Sequence, residues 1–270
     1  MVWGLKVIPL RLYKYEPFNE RSLENLKAQS IYFSSPTNFN DPYDCAMQPV
    51  ISVPTDEEIE EIRGYYLSLT DMPLRGRNEF VRKTTAELRQ VFFNIAKTTL
   101  DENVKTFGKR GVCCFSEKND NLLMWSHYGG KYKGFCLEFD TSKAEPLKWR
   151  KVDYSAQLPA INLKELFVEQ NEEAVLALLS TKSEDWRYEQ EWRLLHQTAG
   201  TMYCYPADWL TGIYFGPEIS REALEIICLV IQGQNKDVKF WRGVRSKTEF
   251  KVEFEPFTYT SFNEAQKLKT

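Results

Sequence analysis

Histidine is scarce: His127 and His196 are the only two in 270 residues. Metal centres and catalytic triads draw heavily on imidazole, so no zinc site is expected and no Ser-His-Asp order can be assembled. The six cysteines, at 45, 113, 114, 136, 204 and 228, contain no C-x-x-C pair, which excludes the common metal and redox spacings. No run approaches the roughly 18 apolar residues of a membrane span. The opening MVWGLKVIPLRL lacks an apolar core followed by a small-residue cleavage site, so no signal peptide is expected. Neither charge sign dominates, with 35 Lys and Arg against 38 Asp and Glu and a net charge of -3. That balance excludes a surface that grips nucleic acid over its whole extent, although it permits a local basic cleft. Rossmann and P-loop glycine patterns, internal repeats and low-complexity linkers are also missing. The expectation is a cytoplasmic protein with reduced thiols.

What is present is ordinary for a folded domain: 43% hydrophobic and 27% charged residues, in a chain long enough for a large core. IPLRLYKY alternates like a strand, with Leu10, Leu12 and Lys14 on one face and Arg11, Tyr13 and Tyr15 on the other. Asn19 caps a short helix, SIYFS is a second strand, and SPTNFNDPYD carries turn chemistry. Thr55 and Glu58 form a capping box for a helix to about Leu69. A longer helix is predicted from about Asn78 to Thr106, with Leu88, Val91, Phe92 and Ile95 as its apolar stripe. GVCCFS, GFCLEFD, LKWRKVDYS, TGIYFG, KFWRG and FKVEFEPF follow as strands, with helices over NLLMWSHY, about 163–179 and after Ser220. Strands and helices mix without regular βαβ alternation. The fold class is therefore α+β, with a mixed central sheet, continuous or split, flanked by helices. Residues 1–270 are taken as one domain in which 54–108 form a helical insertion or lid.

The densest chemistry lies in DWRYEQEWRLL, Asp185 to Leu195. If this run is extended, Glu189, Glu191 and Arg193 share one face, while Trp192 and Leu194 point the other way. Such a row is either a working pair of carboxylates or a solvated face neutralised by Arg187 and Arg193. Lys14 falls on the expected inner face of its strand, where it snorkels to the rim or meets a buried carboxylate. Ser116 ends a strand just before a helix bearing Trp125, His127 and Tyr128, a junction that suits an anion or a ribose, or simply an amphipathic packing helix. In NFNDPYD, Asn40, Asp41 and Asp44 either close a turn or present a rigid loop to a ligand. YGGKYKG offers a phosphate nest with Lys131 and Lys133, or a plain Gly/Lys turn.

Taken in order, LYKY (12–15), IYFSSPTNFNDPYD (31–44), CCFSEKNDNLLMWSHYGGKYKGFCLEFD (113–140), WRYEQEWRLL (186–195) and IYFG (213–216) resemble the bacterial domain of unknown function 2971 family. Its members resemble components of phage defence and toxin-like systems. A looser similarity runs to the ADP-ribosyltransferase superfamily, whose early basic strand, middle strand ending in a small polar residue and late Glu-x-Glu motif fall in the same order. Lys14 stands where Arg or His is the rule there. That resemblance implies an ADP-ribosyltransferase-like fold and NAD as the substrate. Glu191 would stabilise the oxocarbenium-like charge and hold the ribose, and Glu189 would polarise the acceptor. Lys14, Tyr15, Ser116, Trp125, His127, Tyr128, Asn40 and Asp41 would bind the dinucleotide, Lys14 through its phosphates or by holding Glu191. The acceptor would be a nucleic acid, a protein or a small molecule. Two other classes compete: a Mg²⁺-dependent nuclease using Asp41, Asp44, Glu138, Asp140, Glu189 and Glu191, and a module that binds a nucleotide or partner without turnover.

Overall fold

The computed structural model describes residues 7–46, 50–143, 148–169 and 176–260. The chain divides into two compact units: Met1–Ser34, Gly111–Val152 and Trp186–Thr270 in the first, Ser35–Arg110 and Asp153–Asp185 in the second. The elements begin with β1 (Arg11–Glu16), α1 (Glu20–Lys27), β2 (Ser30–Tyr32) and β3 (Val50–Ile51). Three helices follow, α2 (Asp56–Ser68), α3 (Leu74–Arg82) and α4 (Thr85–Phe107). Next come β4 (Gly111–Ser116), α5 (Leu122–His127), β5 (Phe135–Asp140), β6 (Trp149–Lys151), β7 (Asp153–Ser155) and β8 (Ala160–Ile161). The run continues with α6 (Leu163–Phe167), β9 (Thr181–Ser183), β10 (Glu191–His196), β11 (Met202–Cys204) and β12 (Leu210–Phe215). It closes with α7 (Arg221–Gln232), β13 (Lys239–Arg245) and β14 (Val252–Phe257). The class is α+β, as the mixing of periods implies.

The first unit is built on an eight-stranded sheet in the order β14-β13-β12-β5-β1-β4-β10-β6. The sheet is mixed: β12 and β13 run parallel and its other neighbours antiparallel. Side chains alternate between the faces. One face carries Leu12, Phe115, Leu137, Phe139, Trp192, Leu194, Ile213 and Phe215, which pack with Leu26 of α1 and Leu224, Ile227 and Ile231 of α7 as the main core. Each such large apolar side chain contributes about 1.5–3 kcal/mol by leaving water. The other face carries Tyr15, Cys136 and Tyr214, covered by Met124 and Trp125 of α5. Leu10 does not join Leu12 in the core: it precedes β1 and is 74% exposed.

Local signals explain most helix starts. The Asn19 side chain accepts from Ser22 N at 2.9 Å, and Ser220 Oγ accepts from Ala223 N at 3.1 Å. Both halves of the Thr55–Glu58 capping box are made. The single helix over 78–106 is not formed. Lys83 leaves α3 with extended dihedrals, and a second capping box at Thr84–Glu87 starts α4. The buried stripe of α4 is Leu88, Phe92, Ala96 and Leu100, while Ile95 is exposed. In the second unit Leu88, Phe92 and Ala96 pack with Ile59, Ile62 and Leu163. Here too lie the parallel pairs β3–β8 and β7–β9. The strand expected over LKWRKVDYS divides at Val152, whose N–H donates to Glu191 O, whereas the next amide, Asp153, donates to Ser180 O. Of the helix expected over 163–179, α6 forms its start and 170–175 lie outside the described residues. None of the six cysteines is in a disulfide. Among the described residues no helix is long and apolar enough to cross a membrane.

Candidate functional site

Cross-strand register places Tyr13 of β1 opposite Ser116 of β4, and Ser116 opposite Glu191 of β10. On the other side Tyr13 faces Glu138 of β5. Directly opposed residues share a face, so these four form one row across four strands. Its apolar counterpart on the opposite face is Leu12, Phe115 and Trp192.

Glu191 is buried, and its carboxylate accepts from Arg193 Nε at 2.7 Å and Nη2 at 2.9 Å. The i, i+2 spacing is what sets both side chains on one face of β10. Glu189 does not belong to the strand. It closes a 3-10 helix, Glu184–Glu189, and Gln190, at φ 43°, turns the chain into β10. The expected extended row therefore holds for Glu191 and Arg193 only. Glu189 is nonetheless brought in, buried, with Oε1 accepting from the Tyr128 hydroxyl at 2.7 Å. Ser116 makes this junction: its Oγ donates to Glu189 O at 2.6 Å and accepts from Lys118 N at 3.1 Å. Fully buried, Ser116 ties the end of β4 to the segment that carries Glu189.

Lys14 is on the opposite face of the sheet. Its partner is Glu16, at 3.2 Å. Burial works to remove the lysine's charge, but the Glu16 carboxylate prevails and the pKa is raised. The basic partner expected for Glu191 is thus supplied by Arg193, because an odd and an even position of β1 cannot share a face. Tyr15 and Trp125 pack edge to face at 5.1 Å, with Tyr15 Oη donating to Lys118 O and Trp125 Nε1 to Asn119 O. His127 is exposed, and its ring lies 6.1 Å from Trp186 and 6.5 Å from Tyr188. A cavity of about 570 Å³ is lined by Lys118, Asn121, Tyr188, Gln190, Phe250 and Lys251.

Asn40 and Asp41 fall in the second unit. Asp41 Oδ1 accepts from Tyr43 N at 2.9 Å, an Asx turn. Asp44 makes a buried ion pair with Lys182 at 3.0 Å. In YGGKYKG the amides of Tyr132, Lys133 and Gly134 donate within the chain, to Trp125 O, Gly130 O and Gly129 O. Among the described residues no group of three His, Cys, Asp or Glu is placed to hold a metal ion.

Sequence reasoning passed over Glu138 as part of this face. Buried in β5, it accepts from Arg11 Nη1 at 2.5 Å, Thr211 Oγ1 at 2.7 Å, Tyr214 Oη at 2.7 Å and Tyr13 Oη at 3.3 Å. Burial, then the Glu138 charge, pushes the Tyr13 phenol up to about 12. The available signal was Glu138 within GFCLEFD, set among Phe135, Cys136, Leu137 and Phe139 rather than at the strand's end, where Asp140 stands.

Residues 124–194, from α5 through most of β10, match the model of a family described as Protein of unknown function (DUF2971). The match supports the family resemblance and takes in Tyr128, Glu138, Glu189, Glu191 and Arg193. No curated protein and no solved structure matches the chain.

Proposed function

We propose that the first unit is an NAD-consuming enzyme of the ADP-ribosyltransferase type, with NAD as a substrate. The observation that carries this reading is the register of Tyr13, Ser116 and Glu191 on three adjacent strands. The resemblance orders an early strand, a middle strand and a late Glu-x-Glu segment in that sequence, and here the three lie side by side. On β1 the contributor to this face is Tyr13 rather than Lys14.

Cleavage of the nicotinamide–ribose bond develops positive charge on the ribose, and a fixed carboxylate beside it lowers that barrier. Glu191 is suited to the task because the Arg193 fork holds it in one orientation. Glu189, fixed by Tyr128, polarises the acceptor. Ser116 serves as a positioning residue that links β4 to Glu189. His127, Trp186 and Tyr188 supply aromatic faces for nicotinamide or a base.

The test is nicotinamide release from NAD by the full chain, with lysate as the source of acceptors. Release that Glu191→Gln abolishes, with its fold intact by circular dichroism, supports the reading. A wild-type chain that neither binds nor cleaves NAD sinks it. The nuclease alternative draws no support from the side-chain placement, since no group of three metal-ligating side chains gathers among the described residues.

A further inference from the structure

The turn between β13 and β14 holds Phe250 in water, at 96% exposure. The turn itself is braced. Ser246 N donates to Lys251 O at 3.2 Å, and Lys251 N to Glu249 O at 3.0 Å. Ser246 Oγ accepts from Thr248 N and Glu249 N and donates to Glu253 Oε1 at 2.8 Å. A single exposed apolar residue is ordinary, whereas several that adjoin one another mark an interaction site.

Phe250 has such neighbours. With Leu122 and Leu123 of α5 and Tyr188 it lines a cavity of about 570 Å³, a volume suited to one large side chain and its main chain. Leu123 is itself exposed. The three segments that form the cleft are joined to one another. Val252 N, next to the turn, donates to Asp120 O at 3.1 Å, and Glu117 N donates to Gln190 O at 3.1 Å. Asn121 Nδ2 reaches Tyr188 O at 3.4 Å. Gln190 also stands in the wall, where a side-chain amide offers both donors and an acceptor to a peptide main chain.

The charges at the rim decide the class of partner. Lys251 is taken up by its ion pair with Glu249 and has Asp120 as a further negative charge nearby. Lys118 is exposed and is tied down through its main chain alone, its N–H donating to Ser116 Oγ and its carbonyl accepting from Tyr15 Oη. Among the described residues its ammonium enters no ion pair, so it is the free charge of this wall. A strand of nucleic acid calls for a track of cations along its backbone. Here Lys118 and Lys251 are set against Asp120 and Glu249. An apolar floor with one free ammonium at its rim is instead the complement of an apolar side chain that has a carboxylate beside it.

We infer that this cleft docks a segment of a protein partner in which an apolar residue adjoins an acidic one, the apolar group against Leu123, Tyr188 and Phe250 and the carboxylate at Lys118. Docking needs no NAD, so the inference is independent of the glycosyl-transfer reading. The experiment measures fluorescence anisotropy of short labelled peptides titrated with the full chain. Each peptide carries one central Leu, Phe or Trp, flanked by aspartates, serines or lysines. Saturable binding of at least one aspartate-flanked peptide is expected, with its lysine-flanked counterpart about tenfold weaker or more. Phe250→Ser, at a position outside the core, should keep its fold by circular dichroism and weaken binding about tenfold or more. Lys118→Glu should reverse the order of the aspartate- and lysine-flanked peptides. Absence of saturation, equal binding of the two charge series, or affinity unchanged in both variants overturns the inference. A single-stranded oligonucleotide that binds tighter than every peptide, and loses that affinity in Phe250→Ser, overturns it in favour of a nucleic-acid surface. Self-association that Phe250→Ser abolishes overturns it in favour of a second copy of the chain.

Discussion

Glu191 and Arg193 stand two residues apart on β10 and close a bidentate ion pair, at 2.7 and 2.9 Å, where both side chains are almost wholly buried. Taking two charges out of water is costly, and their attraction offsets that cost only while both are present. Arg193→Met should therefore destabilise the protein by about 3–5 kcal/mol, since it strands a buried carboxylate. Glu191→Leu combined with Arg193→Met should recover most of the loss. Chemical denaturation of the single and double variants checks both statements.

A second expectation concerns alkaline pH. The phenol of Tyr13 is neutral when protonated, and burial, then Glu138, raises its pKa to about 12 from 10.0. A folded pKa above the unfolded one means that the stabilisation is complete below pH 10 and is lost as pH rises through about 12. Denaturation midpoints should fall across that window. Tyr13→Phe, which removes the titrating group, should make the fall shallower.

Capping supplies a local test in the second unit. Thr84 Oγ1 accepts from Glu87 N, and Glu87 accepts from Thr84 N. Thr84→Ala should cost about 1 kcal/mol. A urea titration measures the cost, and it should shift the midpoint without changing the slope.

How much of the fold and site was legible depends on the range of each interaction. Alternation in EWRLL fixed which side chains enter the core, and Trp192 and Leu194 are there. The Thr55–Glu58 box was visible as a four-residue pattern. The identical pattern at Thr84–Glu87 was equally local, but an apolar periodicity running across it concealed the break. The turn at Gln190 had no such signature, because a positive φ is rare at residues other than glycine. Glu138 shows the other limit. Its partners Arg11, Thr211 and Tyr214 lie 127, 73 and 76 residues away in sequence, so only the assembled sheet brings them together. The division of β6 from β7 is non-local in the same way: successive amides, Val152 and Asp153, find partners in different units.

The roles assigned to the two carboxylates are separable. Nicotinamide release and labelling of an acceptor should be followed together in the wild type, Glu191→Gln and Glu189→Gln, using NAD radiolabelled in the adenylate half. Glu191→Gln should abolish both signals. Glu189→Gln should keep nicotinamide release, as hydrolysis to free ADP-ribose, while losing acceptor labelling. Nicotinamide release that survives Glu191→Gln, or its absence from the wild type, would contradict the assignment of Glu191 as the residue that stabilises the ribose charge.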